Sequence, residues 1–216
     1  MDKTKLSRKE REKLLHREEI LEAALSLFSS KGFHNVSMQD IANESEFGVG
    51  TLYNFFESKE QLFVELMKAG IEKIGQLLIP ILDSSQEEQK KLSEFIRAHV
   101  DMIEDNIEFV KLYISQYGKS TSVNPMLKDI SNLKTTVAAK LESLIKAGIE
   151  KQIFRHVHPE IVALSLRATL EAFDFESSSN FDKAKVQKGL LKIERFFLDA
   201  LLKKETDSES KQSNLT

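Results

Sequence analysis

The chain has 216 residues, of which 41% are hydrophobic and 30% charged, and its formal net charge is −3. These proportions are those of an ordinary soluble globular protein, and the length fits one large domain or a small domain plus a medium one. The absence of cysteine excludes disulfides, thiolate zinc sites and cysteine nucleophiles. No segment approaches the roughly 20 apolar residues of a membrane span, and the charged N-terminus lacks the apolar core of a secretory signal. We therefore expect a cytoplasmic protein.

Glycine and proline are sparse, with 8 and 3 residues over the whole length. Such a chain favours helices over a many-stranded sheet, which would need frequent turn residues. The sequence therefore predicts an all-α protein of about nine helices.

Basic residues are concentrated at the N-terminus, where residues 1–17 contain seven Lys and Arg against three acidic residues. Residues 1–10 are predicted to form a flexible basic arm on an acidic body, which would direct this end of the protein toward phosphate. The alternative from charge alone is a frayed terminus without a partner. A helix then follows over about 11–30, because apolar residues recur at three- and four-residue intervals and Gly32 is a common helix terminator.

The next segment predicts two short helices joined by a tight turn. Ser37 and Asp40 have the spacing of a capping box, so a helix should run from Ser37 to about Ser45. After a turn at 46–48, a second helix should cover about 49–55. Ser58 is another cap residue, and it opens a long helix that is expected to end near Leu78, just before Pro80. Ile41, Ala42, Phe47, Leu52 and Phe56 are expected to form the small core of the pair.

Beyond Pro80 the chain predicts five more helices, and residues 205–216 are polar enough to be disordered. The five helices are expected near 87–104, 107–118, 126–151, 159–177 and 182–204. This places a helix-turn-helix DNA-binding domain at 11–60 and a larger C-terminal domain at 61–204.

A long helix followed by two short ones describes a helix-turn-helix, whose second short helix enters the major groove. The segment also resembles the tetracycline-repressor (TetR) family of transcriptional regulators. The matching residues keep the family's spacing without a gap: Gly32-Phe33, Val36-Ser37, Asp40-Ile41-Ala42, Gly50-Thr51-Leu52-Tyr53, Phe56 and Ser58-Lys59-Glu60-Gln61-Leu62. The resemblance covers about residues 11–65. It departs from the family in the turn, where Glu46 replaces the usual glycine and Gly48 the usual serine cap.

The resemblance implies DNA contacts at particular positions. Ser37 and Lys59 resemble phosphate-contacting residues, and Thr51 and Tyr53 resemble residues that contact phosphates or bases. The implied DNA-binding set is Ser37, Gly48, Val49, Gly50, Thr51, Tyr53 and Lys59. For Leu52 and Tyr53 the alternative is a core position, and for Thr51 an exposed helix residue without a partner.

The resemblance further implies that the C-terminal helices bind a small-molecule effector and form a homodimer. The last two helices have more apolar surface than one thin core needs, which favours a four-helix bundle with a second copy; a monomeric bundle that buries both helices is the alternative. Candidate effector-pocket residues are His99, Met102, Ile103, Phe109, Leu112, Tyr113, Tyr117, Arg167 and Phe173. Their apolar character suggests a hydrophobic or amphipathic effector, and His99 and Arg167 could meet an anionic head group.

Catalysis is not expected. His156 and His158 lie two residues apart in a loop with no further paired ligand nearby, so no metal site is predicted. The chain has no phosphate loop, dinucleotide glycine signature or nucleophile elbow, so no cofactor is expected. The function predicted is a ligand-responsive regulator, most simply a repressor released from a palindromic double-stranded DNA operator. The alternative is an all-helical protein–protein adaptor without DNA binding, which the acidic helix-turn-helix keeps open.

Overall fold

The computed structural model describes residues 7–117 and 128–203, which form an all-α fold. The described helices are α1 (Arg8–Lys31), α2 (Met38–Glu44), α3 (Val49–Phe55), α4 (Lys59–Asp83), α5 (Glu88–Arg97), α6 (His99–Asp105), α7 (Ile107–Tyr117), α8 (Lys128–Glu150), α9 (Pro159–Ser179) and α10 (Lys183–Leu201). A 3₁₀ turn lies at Phe33–Asn35. None of these helices is long and apolar enough to cross a membrane.

Helix α1 begins earlier than its apolar periodicity indicates. The Ser7 hydroxyl accepts a hydrogen bond from the Glu10 backbone N–H at 3.3 Å, and the Glu10 carboxylate accepts one from the Ser7 N–H at 2.8 Å. This capping box satisfies two of the free N–H groups at the helix start. Residues 8–10, expected in a flexible arm, are therefore helical. Residues 1–6 of the predicted arm lie outside the described part of the chain, as do residues 205–216 of the predicted tail.

Two other helix boundaries also differ from the predictions. Helix α4 continues past Pro80 to Asp83. A proline so near a C-terminal end removes few helical hydrogen bonds, and the extra turn buries Leu82 on the same face as Leu78. The helix expected over 87–104 is divided into α5 and α6 at Ala98, whose N–H still bonds to the carbonyl of Glu94.

The molecule divides into two compact units of the described chain. The first contains residues 7–72, 106–117 and 128–130, and the second contains residues 73–105 and 131–203. In the first unit, Ile20, Ala24 and Phe28 form the buried face of α1. The Phe109 ring of α7 lies so close to Gly70 of α4 that an added Cβ would approach it to 2.1 Å. A side chain at this glycine would therefore displace α7.

The second unit has a large apolar core that also contains three buried carboxylates. Its fully buried side chains include Leu92, Ile96, Ile103, Leu141, Ile145, Phe154, Leu166, Leu170, Leu190 and Leu201. The carboxylates are those of Glu88, Asp174 and Glu194. Each of them meets one basic side chain from another helix or loop, as a buried charge requires.

Candidate nucleic-acid interface

The start of α2 is fixed by Ser37 and Asp40. The Ser37 hydroxyl accepts from the Asp40 backbone N–H at 3.1 Å and donates to the Asp40 carboxylate at 2.5 Å, while the Ser37 N–H donates to that carboxylate at 2.8 Å. The hydroxyl bond, with the backbone bond second, lowers the pKa of Asp40 below its ordinary value. The capping box predicted from sequence is confirmed. Any phosphate that approaches Ser37 therefore meets a carboxylate beside the hydroxyl.

The turn between α2 and α3 contains a strained residue. Glu46 has φ of 58°, in the left-handed region where only glycine is free of steric cost. Its N–H bonds to the carbonyl of Asn43 at 3.3 Å, and the next N–H, of Phe47, bonds to the carbonyl of Ala42 at 3.0 Å. These bonds close the C-terminus of α2 in the manner of a glycine cap. The turn thus demands the backbone conformation of the glycine that Glu46 replaces.

The small core predicted for the two short helices is present. Ile41, Ala42, Leu52 and Phe56 are fully buried. Phe47 is only half-buried and packs against the ring of His16 in α1, with centroids 5.0 Å apart. This core fixes the angle between α2 and α3, so the outer face of α3 is presented as a rigid surface.

Helix α3 presents the face expected for a recognition helix. Tyr53 is 53% exposed, which excludes the core position for this side chain, whereas its neighbour Leu52 is core. Thr51 is half-buried. A Cβ added to Gly50 would meet no atom within 4 Å outside the local helix backbone, and one at Gly48 would meet only the Thr51 hydroxyl, at 3.8 Å. The fold therefore gives no packing reason for either glycine, and glycine permits a close approach of another molecule to the backbone.

One exposed polar residue of α3 was missed by the sequence reasoning. Asn54 follows Tyr53 and its side chain is exposed. Asparagine amides can bond the N6 and N7 edge of adenine. The signal available in the sequence was the position of Asn54, next to Tyr53 and outside the buried set of α3. Val49, in contrast, is half-buried and offers only apolar contact.

Lys59 is engaged within the protein. Its ammonium donates to the carbonyl oxygens of Phe33 at 2.9 Å and Val36 at 2.7 Å. It also lies 4.4 Å from the centroid of the Phe33 ring, a distance that allows cation–π attraction. Lys59 thereby connects the first turn of α4 to the loop that leads into α2. This is a bracing arrangement, and it differs from the exposed phosphate contact that the resemblance implies.

The basic N-terminal part of α1 lies beside the recognition helix. The Lys13 ammonium is 6.0 Å from the centroid of the Phe55 ring at the end of α3. Arg17 is used internally, because it pairs with Glu65 and lies over the Phe56 ring at 5.4 Å. The exposed cations of this stretch are Arg8, Lys9, Arg11 and Lys13. They supply positive charge next to a helix-turn-helix whose own acidic side chains, at positions 40, 44, 46, 57 and 60, are all exposed.

The candidate effector residues fall in both units of the described chain. His99, Met102, Ile103, Arg167 and Phe173 belong to the second unit, whereas Phe109, Leu112 and Tyr113 belong to the first. Phe109 there packs against Gly70 and its ring stacks on that of Tyr113 at 6.4 Å. The side chain of Tyr117 lies outside the described part. The pocket set stays a prediction.

Known proteins resemble the N-terminal part of the chain in sequence. Residues 20–66 match the model of the bacterial regulatory proteins of the tetR family. Over these residues the chain resembles the TetR family. One relative, named as the uncharacterized HTH-type transcriptional regulator YfiR of Bacillus subtilis, is 24% identical over 189 residues that cover 85% of this chain and 90% of that protein. The chain thus resembles bacterial regulatory proteins, and these relatives are named as transcriptional regulators.

Solved structures of transcriptional regulators share the fold. The ketosteroid regulator KstR2 of Mycobacterium tuberculosis superposes with a TM-score of 0.72 at 22% identity, covering 87% of this chain and 95% of that one. AibR, solved with isovaleryl coenzyme A and operator DNA, superposes with a TM-score of 0.66 at 19% identity, covering 81% and 95%. No group of three or more His, Cys, Asp or Glu side chains that could hold a metal occurs among the described residues. The His158 side chain is 85% exposed, as expected for a loop position.

Proposed function

We propose that this protein is a TetR-family repressor that leaves a palindromic operator when a hydrophobic or amphipathic small molecule binds its C-terminal helices. The observation that carries the proposal is the outer face of α3. It combines an exposed Tyr53 with two glycines, Gly48 and Gly50, at which the fold leaves room for a side chain. Since packing within the protein does not require glycine at these two positions, the lack of side chains there is explained if the α3 backbone comes close to DNA.

The proposed DNA surface consists of Ser37, Gly48, Val49, Gly50, Thr51 and Tyr53, together with Asn54 and the exposed cations of α1. Phosphate contacts from the α1 cations would orient the protein, and α3 would contact base edges. Lys59 acts indirectly, because its ammonium holds the loop before α2. The exposed acidic residues weaken binding by a single copy, so the operator requires two.

The second copy is proposed to bind through α9 and α10. Each helix buries one stripe and exposes large apolar side chains on another. Five of these are more than half exposed: Ile161, Leu164, Phe175, Leu191 and Phe196. Pairing α9 and α10 with their symmetry mates gives a four-helix bundle that covers these side chains. Sedimentation of the Phe196→Glu variant should show monomers. The control is Leu15→Glu, which alters a leucine on α1 that is also more than half exposed, and it should leave the dimer intact.

The relatives support the class of effector. KstR2 is named as a ketosteroid regulator, and AibR was solved with isovaleryl coenzyme A and operator DNA. A steroid is hydrophobic and an acyl-coenzyme A is amphipathic, and the second unit of this chain has an apolar core in which such a molecule could lie.

Selection from random duplexes at low salt tests the proposal. We expect an enriched palindrome whose binding weakens steeply with salt, because phosphate contacts release counterions. Tyr53→Ala should abolish binding, while Tyr53→Phe separates loss of the hydroxyl from loss of the ring. A selection that enriches no palindrome would refute the DNA-binding proposal and favour a protein–protein adaptor.

A further inference from the structure

Among the described ion pairs of the second unit, one has both of its side chains largely buried, whereas Arg97 and Lys151 are exposed in the pairs that they form with Glu194 and Glu88. His99, the first residue of α6, and Asp174, in the buried stripe of α9, are both more than nine-tenths buried. The His99 Nδ1 lies 2.9 Å from the Asp174 Oδ2. Both remaining polar atoms, His99 Nε2 and Asp174 Oδ1, are buried and have no hydrogen-bond partner among residues 7–117 and 128–203.

The neighbouring pair of Arg97 and Glu194 shows what a purely structural contact looks like in this unit. Arg97 donates through two nitrogens to the two oxygens of Glu194, each at 2.7 Å, so both carboxylate oxygens are satisfied. The Arg97 side chain is also 60% exposed and can meet solvent. The pair of His99 and Asp174 has neither property. A buried polar atom without a partner is costly, so its retention on two adjacent side chains points to a third group that bonds them.

We propose that His99 and Asp174 bind the hydroxyl group of a neutral, otherwise apolar ligand. This inference rests on the proposed function, since it specifies the effector class of the same regulator. A hydroxyl both donates and accepts. Where His99 Nε2 bears a proton, the hydroxyl can accept from it and donate its own single proton to Asp174 Oδ1. Where Nε2 bears no proton, the hydroxyl can donate to only one of these two atoms. An anionic head group only accepts, and it would be buried next to the Asp174 carboxylate.

The surroundings of the pair fit an apolar ligand body. The Phe95 ring of α5 meets the His99 ring edge-on with centroids 5.4 Å apart. Met102, one turn after His99 on α6, is buried, and methionine adapts its shape to irregular space. Leu170, one turn before Asp174 on α9, is buried as well. The ligand would thus make polar contacts only at its hydroxyl.

Arg167 is not part of this site. It lies two turns before Asp174 on α9, about 10 Å away along the helix axis. Its Nη1 donates to Glu171 at 3.0 Å, and Glu171 also pairs with Lys134 at 3.3 Å. The Arg167 Nε is also buried without a hydrogen-bond partner among the described residues, so the anionic head-group contact suggested for His99 and Arg167 from the sequence stays a separate prediction beside the neutral site proposed at His99 and Asp174.

The test uses the full-length protein and three probes of equal chain length: 1-decanol, decanoate and 1-methoxydecane. Only the alcohol is neutral and donates a hydrogen bond. In equilibrium dialysis we expect 1-decanol to bind about tenfold more tightly than either other probe, the size of effect that one buried hydrogen bond gives. In the NMR spectrum of ¹⁵N-histidine-labelled protein, the His99 signals should shift on addition of 1-decanol.

The matched variants separate ligand recognition from folding. The double variant His99→Phe with Asp174→Leu replaces the pair by apolar side chains, a change that buried ion pairs commonly tolerate. It should bind all three probes with similar affinity. Lys151→Met leaves the buried Glu88 without its partner at 2.7 Å, so it should lower thermal stability but keep the preference for 1-decanol.

Three results would overturn the site: tighter binding of decanoate than of 1-decanol, a preference for 1-decanol that survives in the double variant, or no binding of any probe. The same samples are tested on the selected operator duplex. An alcohol preference without operator binding would contradict the proposed repressor but not the site. Operator binding without an alcohol preference would contradict only the site.

Discussion

Glu46→Gly should stabilise the protein and strengthen DNA binding, although it deletes a whole side chain. Glu46 has a φ of 58° in the turn between α2 and α3. A left-handed conformation costs an L-residue about 1–2 kcal/mol, whereas glycine adopts it freely but loses about 0.5–1 kcal/mol more conformational entropy on folding. The net expectation is a gain of about 1 kcal/mol in the free energy of unfolding, or about 2–4 °C in Tm for a chain of this length.

The assay is urea unfolding, in which the midpoint should rise while the m-value stays constant. Glu46→Gln removes the charge and keeps the strain, so it should leave the midpoint unchanged. Gln152, with a φ of 59° beyond the end of α8, provides the matched control in the other unit. Gln152→Gly should give a similar gain in stability without any change in DNA affinity.

The same variants separate strain from charge in DNA binding. Glu46 is exposed in the helix-turn-helix, where its carboxylate repels phosphate. Both Glu46→Gly and Glu46→Gln should therefore bind the operator more tightly than the original chain, and more so at low salt. The reasoning is refuted if Glu46→Gly is no more stable than Glu46→Gln, because the left-handed backbone would then carry no cost.

Three further changes test the interface. Gly50→Ala should stabilise α3 by up to about 1 kcal/mol yet weaken operator binding in a gel-shift assay; unchanged affinity would show that Gly50 does not face DNA. Lys59→Met should lower the free energy of unfolding by about 1–2 kcal/mol, since two carbonyls lose a charged donor, with an unchanged slope of log K against log salt; a slope reduced by about 0.9 would instead reveal a phosphate contact. Ser37→Ala should raise the pKa of Asp40 toward its ordinary value in a carboxyl ¹³C titration. A carboxylate whose pKa is lowered by folding stabilises the protein above its unfolded-state pKa and loses that effect as pH falls through the folded-state pKa. The free energy of unfolding of the Ser37→Ala variant should therefore depend less on pH in the acid range than that of the original chain. An unshifted Asp40 would mean that the hydroxyl bond is absent in solution.

The helix-turn-helix was predictable because its determinants are local. The capping box of Ser37 and Asp40, the buried set around Leu52 and the demand for φ > 0 at position 46 all lie within a few residues of one another in the sequence. The local sequence pattern predicted two helix ends wrongly, the start of α1 and the end of α4, because in each case two local features indicated different boundaries. The cap at Ser7 lies seven residues before the first apolar residue of α1, and Pro80 ended the predicted helix although tertiary burial of Leu82 extends it.

The roles of Lys59, His99 and Asp174 depend on tertiary structure. Lys59 meets the carbonyl of Phe33 across 26 positions of sequence, and His99 meets Asp174 across 75. No periodicity or motif specifies which side chains come together over such separations, because that depends on how the helices pack. The sequence by itself thus determined the resemblance to the TetR family, most of the helices and the exposed face of α3 that we propose meets DNA. Only the packed structure decided that the family lysine braces a loop and that the one histidine in the core has an acidic partner.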